Sequence, residues 1–141
     1  MLLTDIQTRI KPCFKRVNSA VNIREAIKQP LNLSDAAFVV PVSERPAGNS
    51  RDVDIGNPLQ EAAITFGVVM GIQSINDPTG ENGLVALEQK RKQVREKLYG
   101  YAPTDHEPIL LGAGDLVAFV PNGVWWIDRF TTVTWYQGQA Q

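Results

Sequence analysis

The sequence predicts an α+β fold: a mixed four-stranded sheet with helices packed mainly on one face, in the order α-α-β-β-α-β-β. Three observations carry that prediction. Ala62, Ile64, Phe66, Val68, Met70 and Ile72 alternate with smaller or more polar neighbours, which is the period of a strand. Leu84, Leu87, Val94 and Leu98 recur at helical spacing. Near the C-terminus, Asn122-Gly123 stands between two apolar runs, a strong hairpin signal.

From the N-terminus, Leu3, Ile6, Ile10, Cys13, Phe14 and Val17 define one apolar helical face, with Thr4 and Gln7 placed as a capping box at its start. Pro12 removes a backbone donor inside that pattern, so the helix kinks there or ends near Lys11 and restarts. A second, short helix is expected from Asn22 to Lys28, stopped by Pro30. Ala36 to Val42 reads as the first strand, with Phe38, Val40 and Val42 on one side. From Ser43 to Pro58 the chain has no periodicity and reads as a long loop. Loops in compact domains typically run to ~4–6 residues, so this one is either disordered or held by a partner.

The second strand covers Glu61 to Ile75, with Gly67 and Gly71 on its opposite face, leaving room for close approach of another backbone or for a bend. Asn76-Asp77-Pro78-Thr79-Gly80 ends it in a turn. The third helix spans Leu84 to Tyr99, carries Lys90, Lys92, Arg95 and Lys97 away from its apolar stripe, and has Gly100 as a C-cap. Two strands, Leu116 to Val120 and Val124 to Tyr136, complete the order. If the second and third strands are parallel neighbours, the helix between them permits a right-handed crossover.

A chain of 141 residues suits one domain (1–141) that buries a core without disulfides or metals. Fourteen basic against fifteen acidic side chains leave no basic excess of the kind a general nucleic-acid binder shows. The N-terminal MLLTDIQTRIKPCF lacks the layout of a signal peptide, and no apolar run approaches the ~20 residues that span a bilayer, so a cytoplasmic site of assembly and no membrane partner are expected.

Groups for chemistry are scarce. The lone Cys13 sits in an apolar pattern and reads as a buried thiol. The single His106 lies in a loop between Pro103 and Pro108 with no orienting acid in view. One cysteine and one histidine far apart do not make a zinc site. Gly112-Ala113-Gly114-Asp115 lacks the third glycine of a phosphate loop and precedes a strand, so it reads as a glycine turn. Glu44, Asp52 and Asp54 could hold a cation, but Arg45 and Arg51 among them suit solvation or a partner better. Glu88 and Glu96 dilute the basic face of the third helix, and interleaved aromatics are absent from it. No catalytic, metal or cofactor site is expected, and the chain is read as non-enzymatic.

The last strand is more informative. Trp125 and Trp126 are adjacent and therefore point to opposite faces. One packs inside, and the other is covered by a helix, a loop or a neighbouring subunit. A two-sided strand in a short chain favours an assembly, since tryptophan is enriched at interfaces.

The phrase FGVVMGIQS (Phe66 to Ser74), the helix LVALEQKRKQVREKLYGYAP, and the run LVAFVPNGVWWIDRFTT from Leu116 together resemble the tail terminator family of long-tailed bacteriophages. The middle phrase, Leu98-Tyr99-Gly100-Tyr101-Ala102-Pro103, has tyrosine at 101 where the family's pattern has tryptophan, whereas Trp125-Trp126-Ile127-Asp128-Arg129-Phe130 matches. The N-terminal helix and the strand opening Ala36-Ala37-Phe38-Val39 also fit, so the resemblance spans nearly the whole chain.

The resemblance implies a structural virion protein of the tail and neck. Such a protein forms a homo-hexameric ring on the last disc of tail tube protein, stops polymerisation, and offers a surface to the head–tail connector. DNA is met only as it passes through the channel. A head-to-tail ring needs two different complementary patches on each subunit. Arg45, Asn49, Arg51, Asp52 and Asp54 of the long loop, with Trp125 and Trp126, are the interface candidates. Another neck component, a connector or tail completion protein, would share the small size and ring assembly. A small enzyme completed by a partner, or a DNA-binding regulator, would need a ligand that raises the melting temperature or a steeply salt-dependent DNA affinity.

Overall fold

The computed structural model describes residues 1–29, 35–47, 51–53 and 57–138. It is α+β, with elements α1 (Leu2–Ile10), a 3-10 turn (Lys11–Cys13), β1 (Arg16–Ser19), α2 (Ile23–Ile27), β2 (Ala36–Pro46), β3 (Arg51–Val53), β4 (Asn57–Gln73), α3 (Glu81–Leu98), β5 (Leu110–Val120) and β6 (Gly123–Gln137). The sheet runs β1-β2-β4-β6-β5, with β3 added on β4. It is mixed because β1 joins β2 in parallel, while every other pairing is antiparallel. The sheet thus has two strands more than the four expected.

Pro12 explains the first of these. It sits at the start of the 3-10 turn that ends α1, and Phe14 then takes an extended conformation. Residues beyond it continue as β1, so Val17 reaches the core from an edge strand and not from a helix. The expected capping box is not used. The helix begins at Leu2 with no side-chain cap, and Thr4 lies inside it, its carbonyl accepting from the Thr8 hydroxyl. Asn22 does cap α2, its Oδ1 accepting from the Glu25 amide at 2.9 Å. Pro30, expected to stop that helix, lies outside the described residues.

The stretch expected as a long loop is in large part strand. β2 continues through Ser43 to Pro46, β3 forms a hairpin with the first residues of β4, and Glu61 to Gln137 of β4 and β6 stay paired beyond the helices. Together they build a sheet arm that extends past the core. A bulge at Val42 separates the two halves of β2. It takes Val42 out of the alternation with Phe38 and Val40, leaves it exposed, and places Glu44 rather than Ser43 on the helix-bearing face.

The helices divide unequally over the sheet. α1 lies over β1 and β2, and α3 over β4 and β6. Between them is the main core, with Ile6, Ile10, Phe14, Phe66, Met70, Leu98 and Phe130 buried. Phe66 and Phe130 are register partners whose rings stack at 5.6 Å between centroids. The opposite face holds a smaller core of Phe38, Val40, Val69, Trp125 and Ile127, closed by Ala26 of α2. Gly67 belongs to that face. A Cβ there would lie 2.6 Å from Ile127 Cδ1, so the missing side chain is what lets Ile127 pack.

α3 carries the chain from β4 to β5, but these two are not neighbours. Both are antiparallel to β6, which is inserted between them, so they run parallel with a strand in the middle. Leu87, Val94 and Leu98 form its buried stripe, while Leu84 is exposed and Gly83 takes the buried position. Gly100 follows in the left-handed region, φ 80°, as expected of a C-cap glycine.

Candidate functional site

The motif Trp126-Ile127-Asp128 puts Trp126 and Asp128 on the same face of β6, toward α3. There Asp128 is 2% exposed and fully engaged. Arg91 of α3 clamps it through two bonds, Nε to Oδ2 at 2.9 Å and Nη2 to Oδ1 at 3.0 Å. Trp126 Nε1 donates to Oδ1 at 2.9 Å, and the Arg91 guanidinium lies 4.4 Å from the Trp126 ring centre. Breaking a buried pair of this kind leaves an uncompensated charge and typically costs ~3–5 kcal/mol. The cluster therefore fastens α3 to the sheet. It holds no nucleophile, and among the described residues no group of three or more His, Cys, Asp or Glu is placed to hold a metal ion.

Gly114 makes the clamp possible. Opposite Asp128 in β5, a Cβ at this position would stand 2.5 Å from Asp128 Oδ1 and 3.2 Å from the Trp126 ring. Gly112-Ala113-Gly114 is accordingly neither a phosphate loop nor a turn. It is a bulged stretch inside β5.

The basic side chains of α3 are largely drawn into the fold. Lys90 donates to the Cys13 carbonyl at 2.6 Å and lies over the Phe14 ring. Arg9 of α1 donates to the Lys97 carbonyl and stacks over Tyr101. Arg95 is the contrast. Its guanidinium is 42% exposed, reaches Asp128 only at 3.9 Å, and its Nε has no hydrogen-bond partner. With Lys92, Val85, Tyr99 and Leu111 it borders an open groove of about 680 Å³ between α3 and β5.

That groove is one of two places where apolar side chains remain uncovered. Leu111, Leu116 and Phe119 of β5 face the α3 side of the sheet, because their register partners Phe130, Trp126 and Val124 do, yet about half of each is exposed. The second is the arm, where Trp135 and Tyr136 near the end of β6 are exposed. The Tyr136 hydroxyl donates to Glu44 at 2.7 Å, and that bond pushes the phenol's pKa above its usual value.

The interface candidates from sequence fall apart spatially. Arg45 is exposed on the arm portion of β2, while Arg51 and Asp52 lie in β3. Asn49 and Asp54 are outside the described residues. Trp125 is 1% exposed and packs beside Phe38, and Trp126 is half-buried under Arg91. Both tryptophans are thus covered within the chain, and neither needs a neighbouring subunit. The exposed residues that sequence reasoning passed over are Trp135, Tyr136 and the apolar side chains of β5. The available signal was Leu110, Leu111, Leu116 and Phe119 around a glycine-rich stretch no helix could cover.

Cys13 is a buried thiol, as expected, and burial pushes its pKa up against the pull of Lys97 and Lys90. His106 Nδ1 lies 2.7 Å from the Thr104 carbonyl in an exposed loop. Among the described residues no helix is long and apolar enough to cross a membrane. A comparison with curated proteins gives no match. A family model described as phage tail terminator protein matches residues 6–138, which takes in both cores, the Arg91–Asp128 clamp and β6 to beyond Tyr136. The chain belongs to the phage tail terminator protein family, and its role is that of a structural protein of the phage tail.

Proposed function

We propose that the chain closes the end of the tail tube as a homo-hexameric ring. It stops further addition of tail tube protein and presents the surface on which the head–tail connector docks. The observation that carries this reading, beyond family membership, is that one small chain keeps two unlike surfaces uncovered: the basic, apolar groove between α3 and β5, and the aromatic arm of β2, β3, β4 and β6. A closed head-to-tail ring uses two such different patches on every subunit. The clamp at Asp128 and the two buried tryptophan-bearing cores supply a rigid body to hold them in fixed relation.

In this reading Arg45, Arg51 and Asp52, with Asn49 and Asp54 of the same stretch, contact a neighbouring subunit or the tube. Trp125 and Trp126 act from inside, by fixing β6 between α3 and the second core. DNA is a transient occupant of the channel, no cofactor is used, and assembly takes place in the host cytoplasm. The test is electron microscopy of particles from a phage whose copy of this gene is disabled. Overlong or irregular tubes without heads are expected. Tubes of normal length that fail to join heads would make the chain a connector or completion protein instead, and normal infectious particles would end the reading.

A further inference from the structure

We infer that the groove between α3 and β5 is the socket for the sheet arm of a second copy of this chain, with Trp135 and its neighbours as the inserted element. The inference rests on the ring reading and adds which surface meets which.

The first argument is what the groove lacks. α1 and α3 cover β1, β2, β4 and β6, but no helix lies over β5, so its helix-side row of Leu111, Leu116 and Phe119 has no cover in the chain. Val85 and Tyr99 extend the same apolar surface up the flank of α3. An occupant must bring apolar, preferably aromatic, side chains. Trp135, 41% exposed, lies on the face of the arm opposite the helices, where Arg45, Glu61 and Ala63 are its sheet neighbours.

The second argument is charge. α3 carries five basic residues against three glutamates, and Lys92 and Arg95 stand at the groove with Arg95 making no hydrogen bond through Nε. The stretch from Ser43 to Glu61, which supplies most of the arm, carries four carboxylates against two arginines. Opposite signs on the two patches favour encounter between copies in this orientation and disfavour groove-to-groove or arm-to-arm pairing.

A third argument excludes the simplest rival, in which β5 merely adds an edge strand to a neighbouring sheet. Bulges between Leu111 and Gly114 and between Leu116 and Ala118 break the regular edge, and Asp115 pairs with Arg129 beside it. Bulges and charges at an edge discourage strand addition. Side-chain packing into the groove is what remains open to a partner.

The test uses tails assembled in cells from chains carrying Leu111→Cys and Trp135→Cys together, treated with a short bismaleimide; the natural Cys13 is buried. The expected result is a ladder of cross-linked multimers on a denaturing gel. Tails built from an equal mixture of the two single variants should stop at dimers, and each single variant alone should stay monomeric. Lys92→Cys with Glu61→Cys repeats the measurement without touching an apolar side chain. Rings visible at the tube end that yield only monomers with both pairs overturn the arm-in-groove contact and leave the ring reading standing. Absence of the chain from the tube end overturns both.

Discussion

Asp128 is the residue on which the helix side of the molecule turns. It spends its two oxygens on Arg91 and Trp126, so truncation strands a guanidinium against an indole. Asp128→Ala should cost on the order of 3 kcal/mol in urea unfolding, at the low end of the buried-pair range because Arg91 keeps some access to water. Gly114→Ala should cost ~1–3 kcal/mol by overpacking, and the two losses should fall short of additive, since the added methyl acts by displacing the same carboxylate. Additive losses would mean Gly114 matters for β5 alone. None of this was readable from sequence. Arg91 and Asp128 are 37 positions apart, and the two candidate tryptophans beside the clamp were taken as interface residues because adjacency says only that they face opposite ways.

At the scale of elements, legibility followed periodicity. β4, α3 and the β5–β6 hairpin each bury one face, so their apolar residues repeat at the period of the element. β1 escaped notice because four residues at an edge are too few to show a period, and its Val17 fits a helical stripe equally well. The start of β5 was hidden by its two glycines and by exposure on both faces, which removes alternation. The arm was hidden for the same reason: its strands stand clear of any helix, so polar residues are tolerated on either side.

The N-terminus of α3 offers a prediction at this scale. Asp77 accepts from the Gly83 amide at 2.9 Å and the Ser74 hydroxyl at 2.8 Å, and these bonds, the backbone one foremost, hold its carboxyl below the ordinary range. A lowered pKa contributes stability that is complete above the unfolded-state value and is lost as pH falls through the folded one. The melting-temperature gap between wild type and Asp77→Ala should therefore be constant near neutral pH and close in acid. A gap that persists unchanged at the lowest pH where the fold survives would assign the effect to packing.

Across the whole molecule, two rigid cores share one sheet and leave a groove at one side and an arm beyond the other elements. Substitutions on the arm should separate assembly from folding. Arg45→Glu, at an exposed site, should leave the melting temperature unchanged while tail completion fails. Arg51→Glu probes the same stretch. Tails completed normally by both variants would remove these arginines from the contact. Lys92→Glu, at the groove, should mimic them if groove and arm meet.

The most direct test of the central claim is a reconstruction of the head-proximal end of the tail in intact particles. The account predicts six copies of this fold in a closed ring on the last tube disc, each arm directed into the groove of its neighbour. Density for this chain within the connector, or no ring between tube and connector, would contradict it.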